Sequence, residues 1–230
     1  MDGEVTRMIA GSEQLGSRRV GRSKFTLLGV GVLATGLVLG SAGVAAAAPV
    51  SGANSAVDTE WEASWAAYQF EASQAASLLV TKNVDLPITI NAPIDRVFTA
   101  YSNFNNSFGR HPFLKGVLDR RKYTEGGAEV WEFIALEDIP LGPISIPGRT
   151  VGKQRMYAAE HWYSTETWDL PGVITRQKIT FAKDGDSTVV TEHLSFSAPA
   201  VLIDYTVQNG VDAHIVNQKA VKRDIENGML

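Results

Sequence analysis

The residue in this sequence best suited to acid-base chemistry is Glu192, which lies in a segment typical of a β-strand. Residues 188–197 alternate between two faces, and Val190, Leu194 and Phe196 share one face with Glu192. Because this face is the more apolar of the two, we expect it to point inward. A carboxyl group in an apolar cavity can take up or deliver a proton at a carbonyl ligand, so Glu192 is a candidate catalytic residue. The alternative is that Glu192 faces solvent or pairs with a cation.

A second group of candidate side chains lies in residues 150–170, which we interpret as two strands or one long bent strand. Continuous alternation places Arg155, Tyr157, His161 and Tyr163 on one face. A wall of this kind can orient the oxygen atoms of a ligand, so Arg155, Tyr157 and His161 are further catalytic candidates. The alternative is that they form the solvent-exposed face of the sheet.

Residue types and spacing argue against several other kinds of chemistry. The sequence has no cysteine, which rules out a thiolate nucleophile and a sulfur-bound zinc site. The four histidines, His111, His161, His193 and His214, occur singly, without the pairing typical of a metal site. No Gly-x-Ser-x-Gly motif is present, so a serine hydrolase is not indicated. We therefore expect a protein that uses no metal and no cofactor.

The composition is that of a globular domain with a negative net charge. The chain has 230 residues, of which 44% are hydrophobic and 20% are charged, close to the average for folded domains. This length is sufficient for one domain with a sizeable core. The formal net charge of -4 provides no general attraction to phosphate, so nucleic acid is not an expected partner.

The first 48 residues have the order of an export signal. Basic residues precede an uncharged run at 25–44, and a stretch of alanines follows it. We interpret residues 1–48 as a signal peptide cleaved near Ala47 or Ala48, which predicts a secreted or extracytoplasmic protein. Arg18-Arg19 resembles a twin-arginine motif, so both the twin-arginine and the ordinary export route are open. An uncleaved anchor is the alternative, because about 20 apolar residues can span a bilayer.

Residues 49–82 are interpreted as a linker followed by an accessory amphipathic helix. Trp61, Trp65 and Tyr68 recur at spacings of three and four, which places them on one helix face. We expect this face to pack on the domain that follows, at residues 83–230. The alternative is an exposed aromatic surface that contacts a membrane or a protein partner.

Downstream of this helix, the pattern predicts a strand, a helix, a run of strands and a long terminal helix. Residues 83–91 alternate as a strand, and Pro93 suits the first turn of a helix whose buried stripe includes Val97 and Phe98. The Pro- and Gly-rich residues 138–148 predict a long loop, either a gate over a cavity or a loop folded onto its neighbours. Strands are also predicted at 115–123, 129–136, 174–182 and 188–197.

This order of elements resembles the START/SRPBCC superfamily. Residues 88–98, ITINAPIDRVF, are similar to the opening of its polyketide cyclase-like and coenzyme Q-binding-like members, a hydrophobic strand followed by x-A-P-x-x-x-V-[FW]. The resemblance covers residues 83–230. It implies an α+β helix-grip fold, in which a curved antiparallel sheet of about six to seven strands surrounds a long C-terminal helix. The G-x-G-x-x-G loop of plant-type members is replaced here by Gly142, Gly148 and Gly152, so no property of that loop carries over.

The resemblance implies an apolar cavity for a lipid, a sterol or a polyketide-like molecule. The leading hypothesis is an exported, cofactor-free binding protein or carrier for a hydrophobic small molecule. The alternative is a polyketide cyclase or aromatase that uses the acid-base candidates above. Transient membrane contact is compatible with both, and the oligomeric state is left open. The residues expected to line the cavity are Val190, Leu194, Phe196, Trp131, Phe133, Val207, Val211, His214 and Ile144.

Overall fold

The computed structural model describes residues 55–74, 78–169 and 172–230, which form one antiparallel sheet with helices on both of its faces. Two short 3-10 helices, Phe104–Ser107 and Ala158–Glu160, precede β2 and β5. The main elements, in chain order, are α1 (Ser55–Gln74), β1 (Leu79–Ile90), α2 (Ile94–Ser102), β2 (Leu114–Glu125), β3 (Ala128–Leu141), β4 (Ile144–Tyr157), β5 (Trp162–Asp169), β6 (Val173–Asp184), β7 (Ser187–Pro199) and α3 (Ile203–Glu226).

The order of strands in the sheet is β1-β7-β6-β5-β4-β3-β2, and each neighbouring pair is antiparallel. Strands β2 to β7 follow one another as a meander, and β1 joins the far edge by pairing with β7. Helix α3 packs against β1 and β7 on the inner face of the sheet. The predicted α+β class, with a curved antiparallel sheet around a long C-terminal helix, is confirmed.

The main core lies between the inner face of the sheet, α2 and the C-terminal part of α3. Val97 and Phe98 of α2 pack in one cluster with Val221 and Ile225 of α3, and Val190 of β7 is completely buried among them. Burial of each such side chain contributes about 1.5–3 kcal/mol. This cluster fills one end of the inner face, and the cavity described below occupies the other end.

Helix α1 covers part of the outer face of the sheet. Trp61 and Tyr68 are buried in one cluster with Trp168 and Ile174. The indole N–H of Trp61 donates a 3.2 Å hydrogen bond to the carbonyl oxygen of Gly152. The aromatic stripe of α1 therefore packs on the sheet instead of facing solvent.

A buried carboxylate lies beneath α1 on the same outer face. Glu132 is fully buried, and its oxygens lie 2.6 Å from Arg120, 2.7 Å from Arg121 and 3.1 Å from Lys153. Burial raises the pKa of Glu132, but hydrogen bonds from Arg121, Lys153 and Tyr123 outweigh it and hold the pKa at about 2. Arg120 also pairs with two carboxylates of α1, so this cluster joins the helix to the sheet.

Residues 138–148 form the end of a β-hairpin and not the long loop that their proline and glycine content predicts. Strand β3 continues to Leu141 and pairs with β4 from Ile144 onward, and Gly142 makes the turn with a φ of 63°. This end of the hairpin extends beyond β2 and β5, so here β3 and β4 pair only with each other among the described strands. Prolines are tolerated there because the missing N–H costs no hydrogen bond on the open side.

The predicted signal peptide at residues 1–48 and its cleavage site near Ala47 and Ala48 lie outside the described residues. Among the helices that the structure describes, none is long and apolar enough to cross a membrane.

Candidate ligand cavity

A cavity of about 490 Å³ lies between the inner face of the sheet and the N-terminal part of α3. Strands β3 to β7 form one wall and α3 forms the opposite wall. The apolar lining includes Phe104, Phe133 and Phe196, and polar side chains reach the cavity from both walls. Gly210 of α3 permits the position of Phe196, since a Cβ atom on residue 210 would lie 2.6 Å from Cε1 of that ring. The close approach therefore requires glycine at this point of the helix.

Glu192 lies on the cavity wall, with 2% of its surface exposed. One carboxylate oxygen accepts a hydrogen bond from the hydroxyl of Tyr101, and Oε2 lies 2.6 Å from Nδ1 of His214. When Nδ1 carries the proton, this bond orients the imidazole ring and leaves Nε2 as an acceptor. Nε2 has no hydrogen-bond partner among the residues that the structure describes. The pair can therefore orient a ligand oxygen or accept a proton from a ligand.

The tyrosines beside Glu192 are held in their neutral form. Burial raises the pKa of Tyr101 well above its ordinary value, and the negative charge of Glu192 raises it further. The same two causes raise the pKa of Tyr163, whose hydroxyl donates a 3.5 Å hydrogen bond to the carbonyl oxygen of Tyr101. Both hydroxyl groups thus remain hydrogen-bond donors at neutral pH.

His111 faces His214 at one end of the cavity, with the ring centroids 6.0 Å apart. The backbone N–H of Phe113 points at Nδ1 of His111, at 3.4 Å, which favours the neutral tautomer with the proton on Nε2. Burial lowers the pKa of His111 to about 3, with a smaller contribution from charged His214. The neighbouring Arg110 holds this segment on α3 through a 2.7 Å ion pair with the buried Asp224.

Glu137 of β3 is a second carboxyl group on the cavity wall. Its Oε2 accepts a 2.7 Å hydrogen bond from the hydroxyl of Thr150. Burial raises the pKa of Glu137, while the hydrogen bond from Thr150 and the charge of His214 oppose the rise. The two glutamates of the cavity thus lie in different environments, one hydrogen-bonded to a tyrosine and a histidine and one to a threonine.

Four of the residues predicted for the site line this cavity. They are Glu192 and Phe196 on β7, Phe133 on β3 and His214 on α3. The strand residues reach it because their alternation puts them on the inner face, as the sequence pattern predicts.

Four other residues predicted to line the cavity pack in the core instead. Val190 lies in the cluster beneath α2, and Leu194 lies in a separate cluster between β7 and α3. Val207 and Val211 pack against that second cluster. The apolar stripe of α3 therefore marks where the helix meets β1 and β7, whereas the cavity wall of the helix consists mainly of small and polar residues.

Trp131 and Ile144 do not line this cavity either. Trp131 stacks on Phe133 at 4.3 Å and donates its indole N–H to Asp119 at 2.7 Å, beyond the end of the cavity. Ile144 is 60% exposed at the tip of the β3–β4 hairpin, and it is Ile146, two residues further along β4, that reaches the cavity.

Arg155, Tyr157 and His161 do not lie on the cavity. Arg155 pairs with Glu166 at 3.6 Å, and Tyr157 stacks on Trp162 at 4.0 Å, both on the outer face. His161 lies 2.7 Å from Asp95 at the start of α2.

The turn between β4 and β5 explains why these residues do not share the inner face with Tyr163. The 3-10 turn Ala158–Glu160 and the left-handed backbone of His161, with φ of 49°, interrupt the alternation. Odd-numbered residues therefore face outward on β4 and inward on β5. Of the four residues that continuous alternation places on one face, only Tyr163 lines the cavity.

Sequence reasoning missed His111 and Glu137 as residues of the site. His111 lies in an irregular segment, where no periodicity indicates a direction. Glu137 continues the inner face of β3 two residues beyond Ala135, so extending the predicted strand past residue 136 would have identified it. Asn217 of α3 also lines the cavity, and its Oδ1 is buried without a hydrogen-bond partner among the described residues.

This chain is similar to known proteins in its structure and not in its sequence. No protein-family model matches the sequence, and no curated protein matches it. The Zhui aromatase/cyclase from Streptomyces sp. R1128 has a TM-score of 0.52 at 13% identity, over 66% of this chain and 97% of that one. The di-domain ARO/CYC StfQ from the steffimycin biosynthetic pathway has a TM-score of 0.51 at 10% identity, over 69% of this chain and 54% of that one.

A START superfamily protein from Mycobacterium smegmatis is 18% identical over 66% of this chain and 99% of that one, with a TM-score of 0.47. The two aromatase/cyclase structures, both with TM-scores above 0.5, establish the fold and not the activity. Together with the seven-stranded sheet and the long terminal helix, those two matches lead to one conclusion: the chain has the START-like helix-grip fold.

Proposed function

We propose that this protein binds a hydrophobic small molecule in the cavity beneath α3 and acts as its carrier. The observation that carries the proposal is the cavity itself, whose volume of about 490 Å³ lies in the range typical of small-molecule sites. Its walls combine phenylalanine rings with a few hydrogen-bonding side chains, a combination that binds an apolar body and orients a polar end. A ligand that buries about 300 Å² of apolar surface gains roughly 7 kcal/mol before the costs of association.

The carrier proposal is tested by filling the cavity. Thr167 of β5 points into the cavity, and we expect Thr167→Phe to abolish binding of a hydrophobic probe such as 1-dodecanol, measured by calorimetry. The matched control is Thr191→Phe on β7, whose side chain points to the outer face, and this variant should bind as the wild type does. Equal binding by both variants, with unchanged melting temperatures, would contradict the proposal. Native mass spectrometry of the purified protein would show a ligand that is already bound.

A cyclase or aromatase is the second candidate, and the Glu192–His214 pair favours it. In this reading His214 accepts a proton from a poly-β-keto compound at Nε2, and Glu192 positions the ring through the 2.6 Å contact at Nδ1. Glu192→Gln should then lower turnover by about 100-fold or more and change the pH profile of the rate. Unchanged turnover would remove Glu192 from the mechanism, and absence of turnover in the wild type would leave the carrier.

Export from the cytoplasm is part of the carrier proposal and is supported by the order of residues 1–48. The intact mass of the protein recovered from culture medium or periplasm should correspond to a chain that begins near Ala48 or Pro49. A full-length mass in the membrane fraction would instead indicate a retained anchor. Replacing Arg18 and Arg19 with lysine should block export only if the twin-arginine route is used.

A further inference from the structure

The charges on the cavity wall differ in sign from what a fatty acid requires. Among the described residues that line the cavity, acidic side chains including Glu137 and Glu192 are present, and no lysine or arginine is. The basic side chains on this wall are His111 and His214. Burial keeps His111 neutral, since its pKa is about 3. A ligand carboxylate would therefore find no permanent cation on the described wall.

The two glutamates are not equivalent as binding groups. Glu192 is occupied on both oxygens, by the hydroxyl of Tyr101 and by Nδ1 of His214. Glu137 is occupied on one oxygen only: Oε2 accepts the hydroxyl of Thr150 at 2.7 Å, and Oε1 has no partner among the described residues. Glu137 therefore has a carboxylate oxygen available to a ligand.

The cations beside Glu137 on the two neighbouring strands are used elsewhere. Lys115 of β2 pairs with Asp138 at 3.3 Å, and Arg149 of β4 makes two 2.6 Å hydrogen bonds to Glu60 of α1. Both pairs lie away from the cavity, because neighbouring residues of a strand point to opposite faces. Neither cation is thus a partner of Glu137, and the opposite charge that acts on it is that of His214, which already pairs with Glu192.

We propose that Glu137 anchors a protonated amine on the hydrophobic ligand, so that the cavity selects amphiphilic amines over alcohols and alcohols over carboxylates. The inference rests on the proposed function, since it names the class of ligand for the same cavity. An ammonium group can donate a charge-assisted hydrogen bond to Oε1, and such bonds are stronger than those between neutral groups. A ligand carboxylate would instead bring a like charge to a partly desolvated wall.

Three probes with the same alkyl chain test the selection: dodecylamine, 1-dodecanol and dodecanoate. Each is titrated by calorimetry into the full-length protein at pH 7.5, below its micelle concentration. We expect the amine to bind at least about tenfold more tightly than the alcohol, and dodecanoate to bind most weakly. If none of the three binds, the proposed function itself fails. If the alcohol binds but the amine is no tighter, or dodecanoate is tightest, hydrophobic binding stands and the charge selection is overturned.

Glu137→Gln separates the anchor from the general charge of the protein. Glutamine keeps an oxygen that can accept the hydrogen bond from Thr150, while it removes the negative charge. We expect the ratio of its affinities for dodecylamine and dodecanol to fall by about tenfold. The matched control is Asp138→Asn, which removes a charge from the next residue on the opposite face and should leave the ratio of the two affinities unchanged. Equal effects of the two substitutions, or no effect of Glu137→Gln, would refute the anchor.

Discussion

The neutral state of His111 makes the stability of the protein depend on pH in a defined direction. Burial, with a smaller contribution from charged His214, lowers the pKa of His111 to about 3, against about 6.5 in an unfolded chain. Because the folded value lies below the unfolded value, the unfolded chain takes up the proton first. The stabilisation is complete above about pH 6.5 and is lost as the pH falls toward 3.

The size of this effect follows from the two pKa values. Their difference sets an upper bound of about 5 kcal/mol at very low pH, and linkage gives about 2 kcal/mol of that loss at pH 5.0. Solvent that enters the cavity screens part of the burial, so we expect a loss of about 1–2 kcal/mol between pH 7.5 and pH 5.0.

Urea unfolding followed by tryptophan fluorescence at these two pH values measures the loss. We expect the free energy of unfolding to fall by about 1–2 kcal/mol more in the wild type than in His111→Gln, because the other titrating groups are common to both proteins. His193→Gln is the control: His193 is 44% exposed and pairs with Asp85, so its removal should leave the pH dependence of the wild type within about 0.5 kcal/mol. A neutral, buried His111 is refuted if His111→Gln loses as much stability as the wild type, or if NMR shows the His111 ring titrating above pH 5.

Three further substitutions test the packing and charges around the sheet. Gly152→Ala should destabilise the protein by about 1–3 kcal/mol and weaken the binding of dodecanol. The reason is that the added Cβ would lie 2.4 Å from Cζ of Phe133 and push that ring toward the cavity. Unchanged stability and binding would contradict this packing. Trp61→Ala should lower the free energy of unfolding by about 3–5 kcal/mol, measured by thermal or urea unfolding. The control is Phe70→Ala: Phe70 is 67% exposed, so this variant should change stability by less than about 0.5 kcal/mol. Similar losses in the two variants would mean that α1 does not pack as described. Glu132→Gln should destabilise the protein at pH 7, where the carboxylate is ionised. The difference in stability from the wild type should shrink as the pH falls from about 4.5 toward 2, measured by urea unfolding at a series of pH values. A difference independent of pH would contradict the ion cluster.

Local sequence patterns predicted the features that depend on residues close together in the chain: a turn, the inner face of a strand and the start of a helix. The Asp184–Ser187 hairpin turn follows from the Asp-Gly pair, and Gly185 has the left-handed φ of 60° that such turns require. Glu192 lies on the cavity wall because strand alternation places it beside inward-facing apolar residues. The helix after Pro93 follows from a residue that restricts its own φ, together with the spacing of the apolar residues that follow it.

Alternation failed where one turn changed its phase. Nothing in residues 158–160 indicates that a 3-10 turn and a left-handed His161 separate β4 from β5, yet this turn moves Arg155 and Tyr157 to the outer face and Tyr163 to the inner face. Strand β5 pairs with both β4 and β6, and its register with these two strands fixes which of its side chains face inward. A one-residue error in register changes the face of each residue that follows.

The order of elements, the inner face of the last strand and hence the orientation of Glu192 follow from the amino-acid sequence alone, since each depends on contacts within a few residues. Long-range packing is what brings His111, Glu137 and Glu192 to one cavity and turns the small and polar side of α3 toward it. The physical reason is that a cavity is the space left where the sheet and the helix do not touch. The position of the cavity depends on the packing of α2 and α3 against strands far away in the chain, and the local periodicity of the sequence contains no information on that packing.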